Sequence, residues 1–253
     1  MMSFDRRRAT GVYLWIAVAG ILALYLHSVS YLLSDETGDA VMAFSISLSL
    51  GYVAPILPLM AALPFGTAFC ADWQSGYAPS VVVRSGRRRY LRSKAMACAL
   101  SGGLASLMGM LAFILTLNLK FPPDFSQTPY LGDITGLQTL LGVGAGRYLC
   151  FFGAHLALAF LSGMFWALTA LAFSAFYPNV ALTLCAPLVM HRLLQELGYW
   201  TPSWLDVTIL ETGSLDFPPG IILATGAGIF CALSALLMVL FAWRAGRRLR
   251  YEA

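Results

Sequence analysis

Thirteen of the sixteen Lys and Arg residues fall in three short clusters, at 6–8, 84–94 and 244–250, and long apolar stretches without a formal charge lie between them. A charge is costly in hydrocarbon, and short Lys/Arg-rich loops stay on the cytoplasmic side of a membrane. This distribution predicts an integral membrane protein whose three basic clusters share the cytoplasmic face. Composition points the same way: 11% of residues are charged and 59% are hydrophobic, where a soluble domain carries about a quarter charged residues to keep its surface solvated. No polar stretch exceeds a loop, so one membrane domain over residues 1–253 accounts for the chain. The acids Asp35, Glu36, Asp39, Asp124, Asp133, Asp206, Glu211 and Asp216 occupy the intervening loops. The net charge of +4 therefore reflects sorting by membrane side and implies no nucleic-acid partner.

A crossing helix needs roughly 20 apolar residues. Charge-free windows at 9–34, 40–71, 95–119, 148–190 and 217–243 meet that length. The fourth is long enough for two crossings, and Pro178 within Ser174-Ala175-Phe176-Tyr177-Pro178-Asn179 marks the break, because proline lacks a donor and disfavours helical geometry at Tyr177. Parity agrees, since an odd number of crossings would place the acidic 199–216 loop inside and the arginine tail outside. The expectation is an all-α bundle of six transmembrane helices at about 11–33, 47–71, 95–119, 148–173, 179–197 and 219–243, with both termini cytoplasmic. The run after 6–8 is longer than a signal-peptide core and lacks a small-residue cleavage site, so it reads as a retained anchor.

Little catalytic machinery is visible. Three histidines, His27, His155 and His191, fall in different spans, no His-x-x-x-His or Cys-x-x-Cys spacing exists, and no Gly-x-Ser-x-Gly elbow occurs. The reading is no catalytic, cofactor-binding or metal-ligating residue, with the histidines hydrogen-bonded inside the bundle and the five cysteines packed as small apolar groups. Arg192 and Glu196 stand four apart on one helical face and, with Arg147, form a candidate polar cluster at the outer side. Glu196 is then the one carboxylate placed to act as an intramembrane relay. Small residues at Gly102, Ser106 and Gly109, at Gly142 and Gly146, and at Ala159 and Gly163 pattern faces for close helix approach, within one bundle or at a homodimer seam.

The 72–94 stretch, DWQSGYAPSVVVRSGRRRYLRSK, is the one substantial cytoplasmic loop. Its valine triplet stands between polar neighbours, as an apolar docking patch would. Its arginines also suit anionic lipid. In Phe69, Asp72, Gly76, Arg84 and Lys94 this region resembles the ABC-2 type permeases, the transmembrane half of a class of ABC transporters, although the family more often has Glu at the position of Asp72. The resemblance extends through the predicted six spans to an ABC-2 (type V) exporter-like bundle. It implies that Asp72, Gly76, Val81, Val82, Val83, Arg84 and Arg87 form a coupling element for a separate ABC ATPase subunit, and that two permease copies work together in the inner (cytoplasmic) membrane. ATP and Mg would sit on the partner: the only lysines here, Lys94 and Lys120, do not follow glycine, so the chain has no P-loop and is not itself an enzyme. In the same family short re-entrant or interfacial helices lie in the outer loop, here 198–218. Two other classes compete with this reading: a non-transporting assembly or immunity protein that recruits a partner, and an ion-coupled secondary transporter.

Overall fold

The computed structural model describes residues 11–32, 39–49, 54–121, 136–141 and 145–251, and every regular element among them is helical. In chain order these are α1 (Val12–Ser28), α2 (Ala40–Ser49), α3 (Leu57–Ala62), α4 (Ala68–Gln74), α5 (Tyr77–Ser85), α6 (Arg87–Lys120), α7 (Ala145–Phe176), α8 (Val180–Gly198), α9 (Val207–Thr212) and α10 (Pro219–Tyr251), with single 3-10 turns at Gly136–Leu140 and Ser203–Leu205. Helices α6, α7, α8 and α10 are each long and apolar enough to cross a bilayer. The chain is thus a multi-pass helical membrane protein.

The long fourth window divides as its proline requires. Helix α7 stops at Phe176 and α8 starts at Val180, and the Asn179 side chain accepts hydrogen bonds from the backbone N–H groups of Ala181 (3.0 Å) and Leu182 (3.3 Å). That cap satisfies donors which a helix start leaves open.

The expected second span at 47–71 is not one helix. It is divided into the end of α2, then α3, a run of turns over 63–67, and α4. Pro55, Pro58 and Pro64 supply the reason, since each removes a backbone donor and crowds the preceding turn. Pro58 fits the first turn of α3, where no donor is needed. Helix α1, at 17 residues, lies at the short limit for a crossing.

Helices α6 and α7 form the central pair. A methyl group added at Gly102 would stand 2.7 Å from the Gly163 carbonyl oxygen, and one at Gly163 would stand 2.7 Å from the Gly102 oxygen and from Ser106 Cβ. On the neighbouring turn Gly109 admits Ile21 of α1. Close backbone approach of this kind drives helix association in lipid, where burying apolar surface brings no gain over lipid tails. The predicted small-residue faces of α6 and α7 are consequently used inside the chain. Gly142 lies outside the described residues, and Gly146 faces open space.

Around this pair sit three apolar clusters. One interlocks Tyr25, Phe44, Phe113, Phe151 and Phe152 between α1, α2, α6 and α7, with Tyr25 stacked on Phe113 at 5.0 Å. A second, at the end of the bundle that carries the arginines, gathers Phe65, Phe69, Tyr90 and Phe241. The third places Val207 and Leu210 of α9 against Leu158, Phe165 and Trp166 of α7 and Phe230 of α10. The 198–218 segment, read from sequence as either interfacial or re-entrant, turns Val207, Leu210 and Leu215 inward and leaves Tyr199, Trp200, Trp204, Leu205 and Phe217 exposed.

Candidate functional site: the basic end and the half-buried Glu211

Helix α4 ends at Gln74, and the chain reverses through Gly76, whose φ of +68° is left-handed. Nothing lies within 4 Å of a methyl group placed there, so glycine answers a backbone need rather than a steric one. A second left-handed glycine, Gly86 at φ +81°, separates α5 from α6. Between the two, α5 turns Ala78 and Val81 into the apolar cluster and leaves Val83 88% exposed. Val82 is half-buried and Arg84 exposed. The valine triplet is therefore not a uniformly exposed patch: helical periodicity sends Val81 inward and Val83 outward.

Asp72 does not reach the surface either. Its carboxylate meets Lys94 Nζ at 2.8 Å, both side chains being almost wholly buried, and accepts a hydrogen bond from Tyr90 Oη at 2.9 Å. Lys94 also sits 5.1 Å from the centre of the Phe65 ring. The first and last residues of the predicted coupling loop are thus one buried ion pair joining α4 to α6. Further bonds tie the same end together. Gln74 donates to the Pro178 carbonyl (2.8 Å), Arg248 to that of Phe176 (3.0 Å) and Arg87 to that of Gly246 (3.2 Å). The clusters at 84–94 and 244–250 accordingly meet at one end of the bundle, as the sorting of charge predicts.

The predicted Arg147, Arg192 and Glu196 cluster is not assembled. Arg192 donates to Gln195 at 2.9 Å, and among the described residues neither arginine comes within ion-pair distance of Glu196. All three are exposed.

A second carboxylate turned toward the bundle, half-buried with its side chain 21% exposed, is Glu211 on α9. Trp166 Nε1 donates to its Oε1, and His191 Nε2 of α8 lies 3.9 Å from Oε2. His191 is 1% exposed, and neither ring nitrogen has a hydrogen-bond partner. By contrast, His155 meets the Phe151 carbonyl at 3.0 Å, as expected of a histidine inside the bundle. Glu211 borders a cavity of about 70 Å³ whose polar lining includes Tyr25, Ser47, Ser106 and Ser162. Helix α9 does not itself span the membrane, and burial pushes its Glu211 carboxyl up to about 7, opposed by the Trp166 hydrogen bond and reinforced by the charge of Asp206. Asp206 caps α9, accepting from Thr208 N at 2.8 Å. By sequence Glu211 counts among the acids of the intervening loops. The available signal was its setting, with Val207, Leu210 and Leu215 on one apolar face around it.

No metal-holding group of three or more His, Cys, Asp or Glu occurs among the described residues. Compared with known proteins, the chain matches no family model, no curated protein and no solved structure.

Proposed function

We propose that this chain is the permease subunit of an ATP-driven exporter of the ABC-2 type, acting as one of two permease copies with separate ATPase subunits that carry ATP and Mg. The observation that carries this reading is α5, a nine-residue amphipathic helix set beside the ion pair that joins its two flanking helices. Val83 and Arg84 form its outward contact, while Gly76 and Gly86 are its turning points. A push on α5 passes through Ala78 and Val81 into the apolar cluster, and Asp72 and Lys94 oblige α4 and α6 to move together. Because α6 meets α7 backbone to backbone at Gly102 and Gly163, displacement continues into the bundle. In this reading α1, the divided α2–α4 stretch and the four long helices make six crossings, with the arginine-rich end cytoplasmic.

Co-purification in mild detergent tests the proposal. The expected partner is a P-loop ATPase retained by the wild type and lost from Val83→Asp/Arg84→Glu, with the melting temperature of the permease unchanged. A preparation that retains no ATPase, and vesicles that show no ATP-dependent flux, overturn it.

The half-buried Glu211 beside His191 favours a second reading, ion-coupled transport, because a carboxylate packed against the spanning helices is the element such a relay requires. Flux that persists without ATP, collapses with an ionophore and is abolished by Glu211→Gln decides for it.

A further inference from the structure

Where α6 and α10 diverge at the basic end they enclose a cleft of about 980 Å³. Its rim carries Arg87, Arg88 and Arg92 from α6 and Arg244, Arg247, Arg248 and Arg250 from α10, and among the described residues no carboxylate lines it. Among the described residues Arg87, Arg88, Arg92, Arg244, Arg247 and Arg250 pair with no acid. Several are nevertheless held in place by neutral partners: Arg87 by the Gly246 carbonyl, Arg247 by the Trp243 ring at 4.4 Å, and Arg244 by the Phe176 ring at 5.5 Å. Arg244 Nε is buried without a hydrogen-bond acceptor. Preorganised guanidinium groups that no described acid neutralises select an anion with several oxygen acceptors, and phosphate matches their fork geometry.

The deeper wall of the cleft narrows the choice. Leu91, Val239, Ala242 and Trp243 line it, with Val239 64% and Trp243 49% exposed. An apolar wall directly below a phosphate site has no use for a free phosphate or nucleotide, whereas a phospholipid presents both chemistries at that spacing. Tryptophan also favours headgroup depth. We propose that this cleft seats the phosphate headgroup of an anionic phospholipid, with an acyl chain lying along Val239 and Trp243. The inference is independent of any ATPase partner, since it rests on α6 and α10 and not on α5.

The test reloads delipidated protein with phosphatidylglycerol and phosphatidylcholine in equal amounts and quantifies the retained lipid by mass spectrometry. Wild type retains phosphatidylglycerol preferentially. Arg88→Gln/Arg247→Gln/Arg250→Gln, which alters only exposed side chains, loses that preference by roughly tenfold or more, as about 1 kcal/mol per basic residue implies. Arg84→Gln, at the same end but outside the cleft, keeps it. Should the triple variant melt below wild type, Arg247→Gln alone carries the comparison. Equal loss in Arg84→Gln would reduce the effect to general surface charge and overturn the proposal. So would equal retention of both lipids, displacement of phosphatidylglycerol by millimolar inorganic phosphate, or a soluble protein crosslinking to the cleft arginines with no lipid retained.

Discussion

Asp72 and Lys94 carry opposite charges at almost no exposure, and this sets how each responds to replacement. Removing one partner leaves the other buried and uncompensated, which costs about 3–5 kcal/mol, whereas replacing both with apolar residues of similar volume is close to neutral. Asp72→Asn and Lys94→Met singly should therefore lower the melting temperature in detergent sharply, and Asp72→Leu/Lys94→Met should recover most of it. Glu211 makes a different prediction. Its folded-state value of about 7 is raised from 4.5, so the native state holds the proton more tightly than the unfolded chain. Its contribution to stability is complete below about pH 4.5, declines as pH rises and is lost above about 7. Melting temperature measured across that window should fall for wild type and flatten for Glu211→Gln. Of these residues only Asp72 and Lys94 were conspicuous in the sequence, as an acid and a base at the two ends of the loop. That they bond each other is a tertiary fact, and so is the inward turn of Glu211, since the sign of a charge does not reveal whether water reaches it.

Helices are held together here by absent side chains. Gly102→Val and Gly163→Val each drive carbon into a facing backbone that has no rotamer with which to yield, and the expected loss is about 3 kcal/mol or more, at the upper end of overpacking costs. Gly153, on the same α7 helix, is exposed and faces nothing within 4 Å. Gly153→Ala should thus be neutral or stabilising by about 0.5–1 kcal/mol through helix propensity alone. Thermal melting of the three variants side by side checks the contrast. The small-residue spacing was readable in advance because it follows helical periodicity, and so was the α7–α8 break, where Pro178 and Asn179 form a stop and a cap in succession. Hydropathy failed at 47–71 because it measures apolar length and assigns no weight to three prolines. It also divides residues by polarity along the chain, so the alternation that buries Val81 and exposes Val83 within α5 was not visible to it.

Taken whole, the molecule gathers the arginines of 84–92 and 244–250 at one end and folds the acidic α8–α10 connection toward the other part of the bundle. Cysteine labelling in intact cells checks the corresponding topology, after Cys150, Cys185 and Cys231, which are exposed, have been replaced by serine. A cysteine at Thr201 should react with an impermeant reagent, and one at Arg89 should react only after permeabilisation. The clustering of basic residues made this arrangement legible from sequence, since membrane threading is read from loop charge. The cleft between α6 and α10 was not legible, because it arises from two helices far apart in the chain. Within the divided stretch, the segment from α3 to α4 is where such a bundle is expected to bend. An unbroken rod resists flexing along its whole length, but Pro58 and Pro64 have no N–H to lose, and the turns over 63–67 already interrupt the ladder. Flexure should concentrate at that knuckle, so spin labels at Leu59 and Ala71 should report a wider spread of separations than labels twelve residues apart on α6.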